Sequence, residues 1–141
     1  MVKQKEYAMK RLSILFCILV LGTTMLFGQT GPKLTYDVER VDVGTHYMEE
    51  LGTIKVEVSF TNTGDQPLIL SAARGCCGTR VTSWSAEPVT PGEKGVVTIE
   101  FRPAARPHNI SRTLTLTSND PDGTSIIRIT GKVVEGKSED L

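Results

Sequence analysis

The residues best suited to chemistry are two adjacent cysteines, Cys76 and Cys77, with Arg74 and Arg80 on either side. The thiolate is the nucleophilic form of cysteine, and nearby positive charge favours it, so the two arginines could tune the pair. Three interpretations suit these residue types: a small apolar cysteine packed beside a loop-edge cysteine, a disulfide within the pair or between chains, and a thiolate site for redox exchange or a metal. The sequence leaves all three open.

The spacing of the two cysteines restricts any disulfide between them. Adjacent Cα atoms lie about 3.8 Å apart across a trans peptide, whereas ordinary disulfides need about 4.4 to 6.8 Å. A bridge between Cys76 and Cys77 would be a strained ring, and strain makes a disulfide easier to reduce. If the segment is an extended strand instead, the two side chains point to opposite faces and do not meet.

Other catalytic or metal chemistry has little support in the sequence. A closed zinc site usually takes four ligands, and the two histidines, His46 and His108, lie far from the cysteines along the chain. Copper(I) held by two sulfurs is the metal alternative that remains. Motifs of the types G-x-S-x-G, H-E-x-x-H, Walker A and G-x-G-x-x-G are absent. We therefore expect a non-enzymatic protein with no catalytic residues, no cofactor and no metal site.

Residues 1–29 have the layout of a secretory signal peptide, because four basic residues precede an apolar run at 12–27. A membrane anchor is the competing interpretation. Removal of 1–29 leaves 12 basic and 15 acidic residues. This balance gives no electrostatic reason to bind nucleic acid. We expect a secreted or periplasmic protein with no membrane span after cleavage, whose two remaining cysteines lie in an oxidising compartment.

The elements that must position the cysteines are predicted to be β-strands. Apolar and polar residues alternate at 54–61, 97–102 and 113–117, which places the apolar side chains of each segment on one face. Turn-forming strings such as "NTGDQP", "TPGEKG" and "SNDPDG" separate the segments. The pattern predicts one antiparallel β-sandwich of about seven strands at 34–135 and a disordered tail at 136–141.

Two details of this sandwich are predicted more sharply. Ile54, Val56, Val58 and Phe60 should share the buried face of one strand. The upstream segment 36–47 should form a first strand, with Val41 and Val43 inward and Gly44 ending it.

Ordered motifs along the chain give a resemblance to a known family. The strings "VDVGT", "FTNTGDQPLIL", "GCCGT", "EPVTPGEKGVVTIEFRP" and "LTLTSND" occur in an order that resembles the secreted bacterial family called domain of unknown function 1573. The resemblance covers about residues 38–134. It implies an immunoglobulin-like sandwich, similar to modules of ciliary proteins and the major sperm protein, with no established enzymatic activity.

The cysteine motif departs from that family's pattern, which has two cysteines separated by one glycine and followed by threonine. Cys76 matches the first cysteine, Cys77 occupies the glycine position, and Gly78 stands where the second cysteine would be. This exchange leaves open whether the adjacent cysteines are functional.

The function we expect is binding, to another protein or to a component of the cell envelope. Sandwich edges offer unpaired backbone groups, so strand addition is a natural way to capture a partner. Trp84, the only tryptophan, is expected at the core or its rim. The alternative is a thiol-redox protein that uses Cys76 and Cys77, and a weaker one is a soft-metal carrier that uses the same sulfurs.

Overall fold

The computed structural model describes residues 2–7, 9–10, 28 and 30–136. Residues 2–7 and 9–10 are helical. No helix in the described part of the chain is long and apolar enough to cross a membrane. The apolar run on which the signal-peptide prediction rests lies outside the described residues, as does all but the first residue of the predicted tail.

Eight strands make up most of the described chain and form two four-stranded sheets. The first sheet has the order β1-β3-β6-β5, and the second has the order β2-β8-β7-β4. This arrangement confirms the all-β sandwich, with one strand more than the seven expected. The strands are β1 (Leu34–Tyr36), β2 (Arg40–Tyr47), β3 (Ile54–Asn62), β4 (Leu70–Gly75), β5 (Arg80–Trp84), β6 (Lys94–Phe101), β7 (His108–Ser118) and β8 (Thr124–Val134).

The alternating pattern of β3 sets the core as predicted. Val56, Val58 and Phe60 are buried, and Ile54 packs against the core from its margin. Phe60 lies against Gly95 of β6, where a side chain would collide with the aromatic ring. Burial of each large apolar side chain contributes about 1.5–3 kcal/mol. The second sheet supplies the facing layer, with Ile110, Leu114, Leu116, Ile127, Ile129 and Val133.

The prediction of one continuous first strand at 36–47 was wrong. The chain forms β1 on the first sheet, crosses at 37–39, and forms β2 on the second sheet, where it runs parallel to β8. The prediction that Gly44 ends the strand was also wrong. Gly44 lies in an irregularity inside β2, because its φ of 78° permits a bulge and its N–H is bound by the Asp42 carboxylate at 2.8 Å. The strand resumes to Tyr47, and a turn of 3-10 helix follows at Met48–Glu50.

A buried asparagine closes one end of the sandwich. Asn62, the last residue of β3, is fully buried. Its Oδ1 accepts bonds from the N–H groups of Gly64 (3.0 Å) and Lys33 (3.3 Å). Its Nδ2 donates to the carbonyls of Gln66 (2.7 Å) and Val89 (2.9 Å). One side chain therefore bonds the backbone of three segments, the one before β1 and the loops after β3 and β5.

Asp120, after β7, acts in the same way at this end. It is buried, and its carboxylate accepts bonds from the N–H groups of Leu34 (2.8 Å) and Asp122 (2.9 Å), with the Lys33 ammonium 3.6 Å away. Burial alone raises the pKa of Asp120, but the two backbone bonds and the Lys33 charge outweigh it and hold the pKa below its ordinary value. We call Asn62, Asp120 and these partners the polar end.

The two cysteines lie between the sheets at the opposite end. β4 begins near the polar end, where Leu70 pairs with Ser118, and finishes at Gly75. β5 then starts at Arg80 in the other sheet. The intervening residues 76–79 must therefore cross from one sheet to the other within a single tight turn.

Candidate functional site

The crossing from β4 to β5 is a type I′ turn at Cys76–Thr79. The N–H of Thr79 donates to the carbonyl of Cys76 at 2.9 Å, and both central residues have positive φ, 56° at Cys77 and 79° at Gly78. A cysteine in this left-handed conformation costs about 1–2 kcal/mol relative to the right-handed one. The turn therefore carries strain at Cys77.

The turn closes tightly on the end of β4. A side chain at Gly75 would meet the carbonyl oxygen of Thr79 at 2.6 Å and its Cβ at 2.7 Å, so that only glycine suits this position. Thr79 is buried, and its Oγ1 has no hydrogen-bond partner within the described residues. The turn is thus well packed but leaves one polar atom unsatisfied.

Cys76 is held against β7 at both its backbone and its sulfur. Its N–H donates to the carbonyl of Thr113 at 3.0 Å, and the N–H of Thr113 donates to Sγ at 3.2 Å. Burial raises the pKa of the Cys76 thiol, but hydrogen bonds from Cys77 and Thr113 and the charge of Arg112 outweigh it. The pKa of Cys76 is therefore below its ordinary value, which favours the thiolate.

Cys77 has the opposite character although it is the more exposed of the two. Its hydrogen bond to the Cys76 sulfur, some desolvation and the negative charge of that sulfur raise the pKa of Cys77 against the opposing charge of Arg112. Cys77 is therefore the cysteine of the pair that favours the protonated thiol. Both residues are free cysteines in the structure.

The cation beside both thiols is Arg112, which the sequence analysis did not identify. It is opposite the buried Ile129 in the β7–β8 pair, so its side chain lies on the inner face of the sheet. Its guanidinium carbon is 5.7 Å from the centroid of the Phe101 ring, within range of a cation–π contact. Its Nε is buried with no hydrogen-bond partner among the described residues. We call Cys76, Cys77, Thr79 and Arg112 the cysteine end.

A signal for Arg112 was present in the sequence. Inward positions alternate along "NISRTLTLTS" as Ile110, residue 112, Leu114 and Leu116, so period two alone places the arginine inward. A basic residue in a strand is usually solvated, whereas Arg112 is only partly exposed and its guanidinium stacks on Phe101.

The two arginines suggested by sequence lie elsewhere on the surface. Arg74 is exposed and pairs in register with Thr115, and Arg80 is exposed with its guanidinium 4.0 Å from Glu100. The positive charge that acts on both thiols is that of Arg112. A tuning role for Arg74 and Arg80 stays a prediction.

Both histidines make local contacts with the backbone. A ring nitrogen of His46 is 2.9 Å from the carbonyl of Val43, and one of His108 is 2.7 Å from the carbonyl of Arg106. Within the described ranges, no three His, Cys, Asp or Glu side chains form a group that could hold a metal ion. The chemistry that the site itself offers is that of a polarised thiol.

Trp84, which the sequence analysis expected at the core or its rim, is outside the buried core. It ends β5, pairs in register with Val97 and is 42% exposed. The hydroxyl of the following Ser85 accepts the N–H of Val96 at 3.0 Å, which ends the regular pairing of the two strands. The indole is therefore available on an edge strand.

Comparison with known proteins supports the family and the fold. The profile of the family described as "Protein of unknown function (DUF1573)" matches residues 34–133. No curated protein matches the chain.

Solved structures with the same fold come from several bacterial proteins. A protein of unknown function from Porphyromonas gingivalis gives a TM-score of 0.61 at 17% identity, over 78% of this chain and 50% of that one. The secreted serine protease VesC from Vibrio cholerae gives 0.60 at 15% identity, over 79% and 25%. The chaperone CupB2 from Pseudomonas aeruginosa gives 0.50 at 18% identity, over 75% and 59%. The present chain thus spans between a quarter and three fifths of these chains, and the similarity concerns the fold alone.

Proposed function

The chain belongs to the DUF1573 family, whose function is unknown, and from its own surface we propose that it is an exported, non-enzymatic module that binds another protein along the edge strand β5. The observation that carries this proposal is the exposed Trp84 at the end of an edge strand. An extended segment of the partner would pair with the free backbone of β5 and cover the indole. Main-chain bonds would provide affinity, and the tryptophan would provide an anchor.

The four edge strands of the described sheets differ in how open they are. β1 has only three residues, β2 contains the bulge at Gly44, and β4 is irregular between Leu70 and Ala72. β5 is also irregular, between Val81 and Ser83, but four of its five residues are exposed, the largest share of any of these edges. Short and bulged edges discourage pairing with other chains. β5 is therefore the edge best suited to a partner.

The comparison with solved structures is compatible with this mode of action. One of the similar sandwiches belongs to a protein whose title names it a chaperone, at a TM-score of 0.50. A chaperone acts by binding other proteins. The likeness supports a sandwich of this shape as a binding module, and the choice of β5 rests on this chain's own residues.

Export to the periplasm or beyond is part of the proposal. The leader-like segment ends near residue 29, and the first backbone amides held by the sandwich follow directly. The N–H groups of Thr30 and Gly31 donate to the Asp65 carboxylate at 2.9 and 2.8 Å. Cleavage after Gln29 would leave Thr30 as the first residue. Its amide would become a charged amino group paired with the Asp65 carboxylate, so the new N-terminus would stay bound to the sandwich.

Site-specific photo-crosslinking in cells tests the binding edge. A photoreactive residue at Ser83 on β5 should give a discrete adduct, whereas the same residue at Arg128, exposed on β8 and paired with both β2 and β7, should give none. Trp84→Ala should weaken partner binding by about tenfold or more, because central aromatic anchors contribute most of the energy of an interface. Ile126→Ala removes a more exposed apolar residue from the other sheet and is the matched control. Adducts equal at both positions, or unchanged binding in Trp84→Ala, would exclude β5 as the binding edge.

A further inference from the structure

The two thiols of the cysteine end differ in expected reactivity, and the more nucleophilic thiol is the less exposed one. The Cys76 sulfur is half-buried and accepts the N–H of Thr113 at 3.2 Å, whereas Cys77 is exposed and its pKa is raised beside Cys76. A sulfur that accepts a backbone N–H bond is stabilised as an anion. The better nucleophile is therefore the less accessible cysteine.

We propose that Cys76 is a thiol-exchange site that forms a stable mixed disulfide with a small disulfide carrying a carboxylate. The Cys76 thiolate attacks one sulfur of R–S–S–R, the Cys76–S–R bond forms as the S–S bond breaks, and the second half leaves as the thiolate R–S⁻, which takes up a proton from water. The incoming disulfide is the oxidant, and one cysteine is oxidised for each thiol released. This activity is separate from binding at β5.

Cys77 does not complete a second exchange, because its position opposes ring closure. Attack of Cys77 on the Cys76 sulfur would expel the adduct and bridge two adjacent residues, whose Cα atoms are about 0.6 Å closer than the usual lower limit of about 4.4 Å. The turn that holds Cys77 would also have to change, since its positive φ and the bond from Thr79 to Cys76 define it. Cys77 is thus a positioning residue that lowers the pKa of Cys76, and the adduct persists.

Arg112 supplies the preference for a carboxylate. Its charge acts on both thiols, it forms no ion pair with another described residue, and its buried Nε has no hydrogen-bond partner there. A partly exposed guanidinium that forms no ion pair with a described carboxylate is suited to a planar carboxylate of a ligand. An anionic half-molecule attached at Cys76 would place its carboxylate near this cation, whereas a cationic one would be repelled.

Two symmetrical disulfides that differ only in a carboxylate on each half provide the test, since cystine is zwitterionic whereas cystamine carries the ammonium groups alone. The full-length chain with Cys17→Ser, which removes the only other cysteine, is reduced, freed of reductant and treated with cystine or with cystamine. Adducts are located by mass spectrometry of peptides after an acid quench. We expect one half-cystine on Cys76, formed about tenfold faster than the cystamine adduct, a ratio that equals about 1.4 kcal/mol of differential interaction.

Matched variants assign the roles of the neighbouring residues. Cys76→Ser should abolish the fast adduct, and Cys77→Ser should keep the adduct on Cys76 but slow it. Arg112→Gln should remove the preference for cystine, Arg112→Lys should keep it, and Arg74→Gln should leave it unchanged. Because Arg112→Lys retains a cation on the same inward position, it separates a charge effect from a folding defect.

Three outcomes would overturn the proposal. Adducts that appear first on Cys77 would show that exposure, not thiolate character, decides reactivity. A chain two daltons lighter without an adduct would show that Cys77 resolves the mixed disulfide by forming the vicinal ring. Equal rates of adduct formation with cystine and cystamine, in the chain without substitutions at the cysteine end, would show that Arg112 gives no preference for a carboxylate.

Discussion

The polar end and the cysteine end lie on the same two sheets but satisfy their polar groups differently. Asn62 and Asp120 are buried and fully bonded to the backbone of neighbouring loops. In the part of the chain that the structure describes, two buried side-chain atoms have no hydrogen-bond partner, Thr79 Oγ1 and Arg112 Nε, and both belong to the cysteine end.

This difference separates a fully hydrogen-bonded end from a strained one. A buried polar group without a partner costs about 1–3 kcal/mol, and the left-handed Cys77 adds a similar cost. The polar end recovers such costs through its hydrogen bonds. At the cysteine end they remain, which is the pattern expected where strain and unpaired donors serve binding or chemistry.

The largest effect should follow from removing the central carboxylate of the polar end. Asp120→Ala leaves the N–H groups of Leu34 and Asp122 without their acceptor and Lys33 without a buried counter-charge. We expect the free energy of unfolding to fall by about 3 kcal/mol, measured by urea denaturation. Asp122→Ala removes an exposed carboxylate beside the same lysine and should cost less than about 1 kcal/mol. Similar losses in the two variants would contradict a structural role specific to this end.

Lowering the pH should gradually remove the stabilisation that the Asp120 carboxylate provides. The pKa of Asp120 is lower in the folded chain than in the unfolded one, so its contribution is fully present above the unfolded pKa. That contribution is lost as the pH falls through the folded pKa, which means that the urea midpoint should decrease below about pH 4. In Asp120→Ala this part of the pH dependence should be absent. An unchanged acid profile in that variant would assign the dependence to other carboxyl groups.

A second, smaller effect is expected where the cysteine turn closes on β4. Gly75→Ala places a methyl group within 2.6–2.7 Å of Thr79, and its nearest contact is a backbone oxygen that cannot rotate away. Such overpacking typically costs about 1–3 kcal/mol, which thermal or urea denaturation would detect. Gly52→Ala is a control, because a side chain there meets nothing within 4 Å. Equal stability of the two variants would mean that the turn adapts easily and holds the thiols only loosely.

The sequence predicted the core better than it predicted either end. Alternation identified the buried face of β3 because one strand and its pleat determine it. Alternation did not identify the break between β1 and β2, because residues 37–39 include neither glycine nor proline. The parallel pairing of β2 with β8 also joins segments that are far apart along the chain. Asp120 could be recognised as a turn residue, but its bond to Leu34 joins positions 86 apart.

The cysteine end shows the same limit more clearly. The adjacent thiols and their arginine neighbours were visible in the sequence, yet the cation beside the sulfurs is Arg112 on another strand. Local charge in the sequence suggested Arg74 and Arg80, whereas the fold decides which guanidinium faces inward. Similarly, the type I′ turn depends on how residues 76–79 cross between two sheets, which no local pattern specifies.

The smallest expected change in the free energy of unfolding comes from replacing the strained Cys77 by glycine, which adopts positive φ without strain. Cys77→Gly places glycine at φ 56°, so the left-handed penalty of about 1–2 kcal/mol disappears, while the added freedom of the unfolded glycine costs about 0.5–1 kcal/mol. We expect a net stabilisation of about 0.5–1 kcal/mol, measured by urea denaturation. Gly78→Ala is the matched control, since it introduces strain at φ 79° in open space and should destabilise by about 1 kcal/mol. Opposite signs at neighbouring positions would show that the chain retains a strained cysteine where glycine would be more stable. Destabilisation by Cys77→Gly would instead make Cys77 part of the packing of the turn, and the contrast between the two ends would then rest on Arg112 and Thr79 alone.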